Sequence, residues 1–159
     1  MKNTTLLAAL IFSLLFGCKE KNSHRETQEG ENTETTHAHT SSIEEGDWKE
    51  KIQLDTNDKK WKANPETNEG IAKMLESIEK SNPKTTEEYH KLGEELNSTK
   101  NYILEKCTMI GASHENLHIF LHPVIEKIAA LEGVSTPEEG KRITHDIERH
   151  LQAYYDYFD

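Results

Sequence analysis

From Asn64 onward, apolar residues recur every three or four positions, the period of a helix with one face buried. Ile71, Met74, Leu75 and Ile78 form a first stripe, opened by Asn64 as cap with Pro65 behind it and broken at Asn82-Pro83. Thr85 with Glu88 three residues later is a capping box for a second helix, whose stripe is Tyr89, Leu92, Leu96, Thr99, Ile103 and Cys107. Gly111 is the expected stop. A third stripe, from about Ser113, holds Leu117, Leu121, Val124, Ile128 and Leu131 and ends at Gly133. Thr136-Pro137-Glu138-Glu139 then starts a fourth, with Ile143, Ile147, His150, Leu151, Tyr154 and Phe158. Amphipathic helices with short connections predict an all-α fold, an antiparallel up-down-up-down four-helix bundle over residues 64–159.

Upstream the pattern fades. Residues 47–63 carry Trp48, Ile52, Leu54 and Trp61, too few for a second core, and read as an extended arm with Trp61 packing on the helices. Residues 18–46 are rich in Glu, Thr, Ser and Asn, with Ile43 as the one large aliphatic residue. Such a segment buries too little surface to offset the entropy of ordering, and reads as a disordered tether. Residues 1–17 differ again: Lys2 is followed by a nearly continuous apolar run from Leu6 to Phe16, the length of a signal peptide.

That run ends in Leu15-Phe16-Gly17-Cys18, which resembles the lipobox of bacterial lipoproteins. The resemblance implies cleavage before Cys18, a lipid anchor on that residue, and a mature protein held in the cell envelope by lipid. Lys19 stands where an Asp is the usual inner-membrane retention signal, so the resemblance favours the outer membrane, facing the periplasm or the surface. An envelope or metal-handling protein is the partner class this location implies.

Charge and cysteine content narrow the chemistry. With 19 Lys and Arg against 29 Asp and Glu, the net charge is −10, which argues against a nucleic-acid partner. The chain has 2 cysteines, so a disulfide scaffold is excluded, and with Cys18 acylated Cys107 is a single thiol. The 9 histidines stand out.

His114, His118 and His122 are spaced four apart, along one side of a helix, within reach of Cys107 and Met109 across the turn at Gly111. Imidazole, thiolate and thioether together select soft or borderline transition ions, copper first and zinc next, over the oxygen-seeking Mg and Ca. Two sites are open: a turn site of Cys107, His114 and His118, and a core site of Met74, His118 and His150. His37 and His39 in the tether form a weaker pair. His114-Glu115-Asn116-Leu117-His118 also satisfies H-E-x-x-H, the grip of metal-dependent hydrolases. Those enzymes add a third ligand and a sheet-edge groove, for which a four-helix domain has no room, so no catalytic residue is assigned.

The leading expectation is a lipid-anchored helical protein that binds copper or zinc for metal tolerance or transfer. A non-catalytic envelope interaction protein with structural histidines is the alternative. A third reading rests on a resemblance of the expected fold to four-helix cytochromes. It implies b-type haem with Met and His ligands from the first and last helices, where Met74 and His150 stand.

Overall fold

The computed structural model describes residues 47–159. Within them the chain is helical, with no named strand: α1 (Asp47–Lys51), α2 (Pro65–Lys80), α3 (Thr86–Lys106), α4 (Gly111–Glu132), α5 (Pro137–Gln152) and α6 (Tyr154–Tyr157). The lipobox Cys18 and the tether pair His37 and His39 lie outside the described residues.

Helix starts follow local chemistry. Thr85 Oγ1 accepts the Glu88 N–H at 3.3 Å, while a Glu88 carboxylate oxygen accepts the Thr85 N–H at 3.0 Å. Both donors would otherwise be orphaned at the end of the helix. Thr136 does the same for the Glu139 N–H at 3.2 Å. Asn64 caps α2 differently: its Oδ1 accepts the Thr67 hydroxyl at 2.7 Å, and its Nδ2 donates to the Lys106 carbonyl, tying the start of α2 to the end of α3.

Gly111 plays the opposite part from the one expected. It opens α4 with φ +63°, while α3 ends at Lys106. Left-handed backbone costs a glycine nothing, and here it turns the chain into a helix instead of out of one. The fourth helix also divides: α5 stops at Gln152, where the Ala153 N–H is shared between the Arg149 and His150 carbonyls, and α6 is one further turn.

The long helices pack consecutively, α2 on α3, α3 on α4 and α4 on α5, and α5 returns to α2. Their stripes meet in one core. Ile71, Met74, Leu96, Ile103, Phe120, Val124, Leu131, Ile147, Leu151 and Tyr154 are wholly buried. Glycines set how closely helices approach, Gly70 and Gly140 among them. A Cβ on Gly70 would run into the Ile103 side chain, and one on Gly140 into the Tyr89 ring.

The expected extended arm is only partly extended. Asp47–Lys51 forms the turn of helix α1, packed on α4, because Trp48 buries its indole against Phe120, with ring centroids 5.4 Å apart. The chain is then held by the Asn116 side chain, whose Oδ1 accepts the Gln53 N–H at 2.8 Å. Further on, the Trp61 N–H donates to the Tyr157 carbonyl at 2.7 Å and the Asp159 N–H to the Trp61 carbonyl at 3.0 Å. The arm thus pairs with the C-terminal end through an isolated bridge, Trp61 to Phe158.

Gly140→Ala tests the close approach of α5 to α3. Overpacking costs about 1–3 kcal/mol, against the roughly 1 kcal/mol an Ala gains over Gly inside a helix. The expected result is a lower urea midpoint at unchanged slope. An unchanged or raised midpoint would mean that the Tyr89 ring moves aside freely.

Candidate metal centre on helix α4

The azimuth of α4 is set by what it buries. Leu117, Phe120, Leu121, Val124, Ile128 and Leu131 are each at most 3% exposed. Every helical residue advances the side chain by about 100°, so burying this row turns the opposite row outward. His118 and His122 are exposed and His114 is half-buried. The helix runs on through Pro123, which supplies no N–H to the Ile119 carbonyl.

His114 and His118 come together. Their Nε2 atoms are 2.6 Å apart, while the ring centroids are 4.4 Å apart and the planes 15° from parallel. The rings therefore lean toward each other at their Nε2 corners. With both imidazoles neutral, one Nε2 carries the proton and the other accepts it. The same two nitrogens can instead face one ion.

His122, one turn further on, is directed elsewhere: its Nδ1 lies 3.7 Å from a Glu126 carboxylate oxygen. His118 and His122 share the wall of an open groove of about 990 Å³ between α1 and α4, which Trp48, Ile119, Pro123 and Glu126 also line.

The remaining expected ligands separate from this pair. Among the described residues no group of three or more His, Cys, Asp or Glu side chains converges, so Cys107 does not join His114 and His118. Cys107 caps α3, half-buried and packed on the core, and Met109 is 8% exposed within that core. The turn that was expected to fold them onto α4 instead buries Met109 and leaves its neighbour Ile110 83% exposed. Met74 is wholly buried.

His150 is a core histidine. Its ring stacks on Trp48 at 4.2 Å and meets Phe120 edge-on at 4.7 Å. Nε2 lies 3.0 Å from the Phe120 carbonyl, which can only accept, so Nε2 carries the proton. Nδ1 is left as acceptor, 3.4 Å from the Lys127 ammonium. Both ring nitrogens are engaged. A core metal site with Met74 and His118, or a haem ligated by Met74 and His150, would first have to displace one of these partners. Burial above all, and then the Lys127 charge, push the His150 pKa down to about 3.

Lys127 and Asn116, both buried, are structural residues that no motif marks. Lys127 was nonetheless findable, since it stands three residues after Val124 and four before Leu131 on the buried row. Asn116 sits inside the H-E-x-x-H segment, where its Nδ2 donates to the Ala112 carbonyl at 2.9 Å. His90 has its Nε2 2.9 Å from the Val134 carbonyl and links α3 to the loop after α4.

No described helix is long and apolar enough to cross a membrane. No protein-family model matches the chain, and neither a curated protein nor a solved structure is detectably similar to it.

His150 generates a pH prediction. Its folded pKa lies below its ordinary value, so the folded protein keeps the ring neutral while the unfolded chain takes up a proton. The stability it confers is complete above about pH 6.5 and is lost as pH falls toward about 3, at up to ~1.4 kcal/mol per pH unit. Urea unfolding between pH 7 and pH 4.5 should show this slope, and His150→Gln should flatten it. Parallel profiles for the two proteins would mean that His150 is free to protonate in the folded state.

Proposed function

We propose that this chain is a lipid-anchored protein of the bacterial envelope that binds a divalent transition metal on helix α4, with His114 and His118 as the primary ligands. The proposed architecture is an antiparallel up-down-up-down four-helix bundle carried on an acylated Cys18 and its tether. Short connections and the cyclic packing of α2, α3, α4 and α5 support the bundle. The leader with its lipobox-like Leu15-Phe16-Gly17-Cys18 supports the anchor.

The observation that carries the metal reading is the approach of the two Nε2 atoms to 2.6 Å on a solvent-facing row. Two imidazoles one helical turn apart grip an ion without cost in backbone rearrangement. With the Cys107 thiol and the Met109 thioether packed toward the core, the donor set is nitrogen alone. That shifts the preference from Cu(I) to the borderline ions Zn(II) and Cu(II). His122 turns its Nδ1 toward Glu126 on the next turn, 3.7 Å from the carboxylate, and is a secondary ligand at most. The net charge of −10 raises the local concentration of cations around the chain.

The role follows from the site's position. An ion on an exposed helix face is exchangeable, which suits capture and transfer at the envelope better than a buried structural centre would. The H-E-x-x-H segment serves as a binding grip in this reading, without a hydrolytic step.

The test is a Zn(II) and Cu(II) titration of the whole chain in detergent, with His37→Ala and His39→Ala in the background so that the answer comes from α4. Stoichiometric binding is expected. His118→Ala should weaken it by about tenfold or more, equivalent to at least ~1.4 kcal/mol, whereas His145→Ala on the exposed face of α5 should leave it unchanged. Equal affinity in the His114→Ala, His118→Ala and parent proteins would remove the site.

A further inference from the structure

We infer that residues 39–46, immediately upstream of the described chain, dock in the groove between α1 and α4 and bring His39 as a third imidazole to the ion held by His114 and His118. This rests on the metal reading above and adds the ligand that the pair lacks. An accessible zinc site takes three protein ligands and keeps a fourth position for water. Among the described residues no third His, Cys, Asp or Glu converges on the pair. The nearest histidine upstream of Asp47 is His39.

Where the described chain begins sets the path. Asp47 and Trp48 line the groove of about 990 Å³, and His118 of the metal pair lines it from α4. The upstream chain therefore leaves from the wall of the groove that leads to the site. His39 stands eight residues before Asp47, a reach of up to ~26 Å. The α4 wall runs from His118 to Ala130, about 18 Å of helix, so His39 has length to spare. Direction needs one reversal: Gln53 is held at Asn116 and Trp48 packs on Phe120, so α1 read backwards heads away from His118. The residue at that exit is Gly46, which takes either hand of turn without steric cost.

The groove suits this segment in two ways. Trp48, Ile119, Pro123 and Ala130 give it an apolar lining, and Ile43, the one large aliphatic residue of 18–46, stands midway between Asp47 and His39. A segment pinned at both ends carries Ile43 over that lining. The second feature is polar. Pro123 has no N–H for the Ile119 carbonyl, and both residues line the groove, so an acceptor without its helical donor lies at the wall. A backbone N–H of a polypeptide passing along the groove is the donor it fits.

Tethering also decides which imidazole arrives. A histidine on a short linker is present at an effective concentration of order mM, far above that of a free second chain, and two copies at a net charge of −10 each repel. The ion is required for docking, because burial of one isoleucine does not offset the entropy of ordering eight residues. The α4 pair alone still takes up the ion, and His39 tightens the grip.

The experiment pairs two measurements on the whole chain in detergent: Zn(II) affinity against a competing chelator, and electron paramagnetic resonance with one equivalent of Cu(II), which counts the coordinated nitrogens. Three nitrogens are expected in the parent and two in His39→Ala, with affinity about tenfold or more weaker in the latter. His37→Ala should match the parent. Ile43→Ser should weaken binding by about threefold or more while keeping three nitrogens, since it loosens the docking and removes no ligand. Equal affinity and equal nitrogen count in the parent and His39→Ala, with binding still weakened in His118→Ala, would overturn the third ligand and leave the α4 pair standing. An unchanged Ile43→Ser protein would overturn the docking in the groove. A loss in His37→Ala in place of His39→Ala would overturn the choice of residue, and an affinity that rises with protein concentration would overturn the tether in favour of a second copy. No ion bound in any form would overturn the metal reading as well.

Discussion

Burial of one face of α4 is the constraint on which the rest of the structure depends. Leu117, Leu121, Val124, Ile128 and Leu131 fix how that helix is rotated, because exposing any of them would lose about 1.5–3 kcal/mol of hydrophobic stabilisation. Rotation is a single degree of freedom shared by every residue of the helix. Once the leucines face inward, the histidine row faces outward, and Phe120 and Lys127 are carried into the core on the flanks. The helix is thus at once the centre of the packing and the carrier of the His114–His118 pair.

A second layer of specificity is polar and lies inside. Lys127 and His150 are both buried and meet at 3.4 Å, and His150 also binds the Phe120 carbonyl. Buried polar groups are costly unless their partners are in place, so this contact permits one register of α5 on α4 where an apolar core would tolerate several. Trp48, stacked on the same imidazole, ties the start of the described chain to that register. The Trp61–Phe158 bridge holds its far end. The arm belongs to the packed body through its two tryptophans, although it is poor in apolar residues overall.

The outward and inward histidines are therefore different chemistry from the same residue type. His118 and His122 are exposed to water. His150 sits among Trp48, Phe120 and Lys127 and stays neutral well below the ordinary imidazole range. Counting nine histidines along the chain cannot separate the two kinds.

Periodicity and caps marked the long helices in advance, though not α1. The apolar stripes, the Thr85–Glu88 box, the Thr136 cap and Pro65 are local features, written within one or two turns, and they produce helices where they stand. The i,i+4 spacing of His114 and His118 is equally local, and it puts their rings within reach of each other. What only tertiary structure decided is everything that needs a second element. The fate of Cys107 and Met109 depended on which way the α3–α4 turn folds, and positive φ at Gly111 directs that turn into a new helix with Met109 on the core. The assignment of His150 depended on the Phe120 carbonyl and Lys127, thirty and twenty-three residues away in sequence. Helical spacing fixes which residues share a face. Only the packing of one helix on another fixes where that face points, because rotation about a helix axis costs nothing until a neighbour is present.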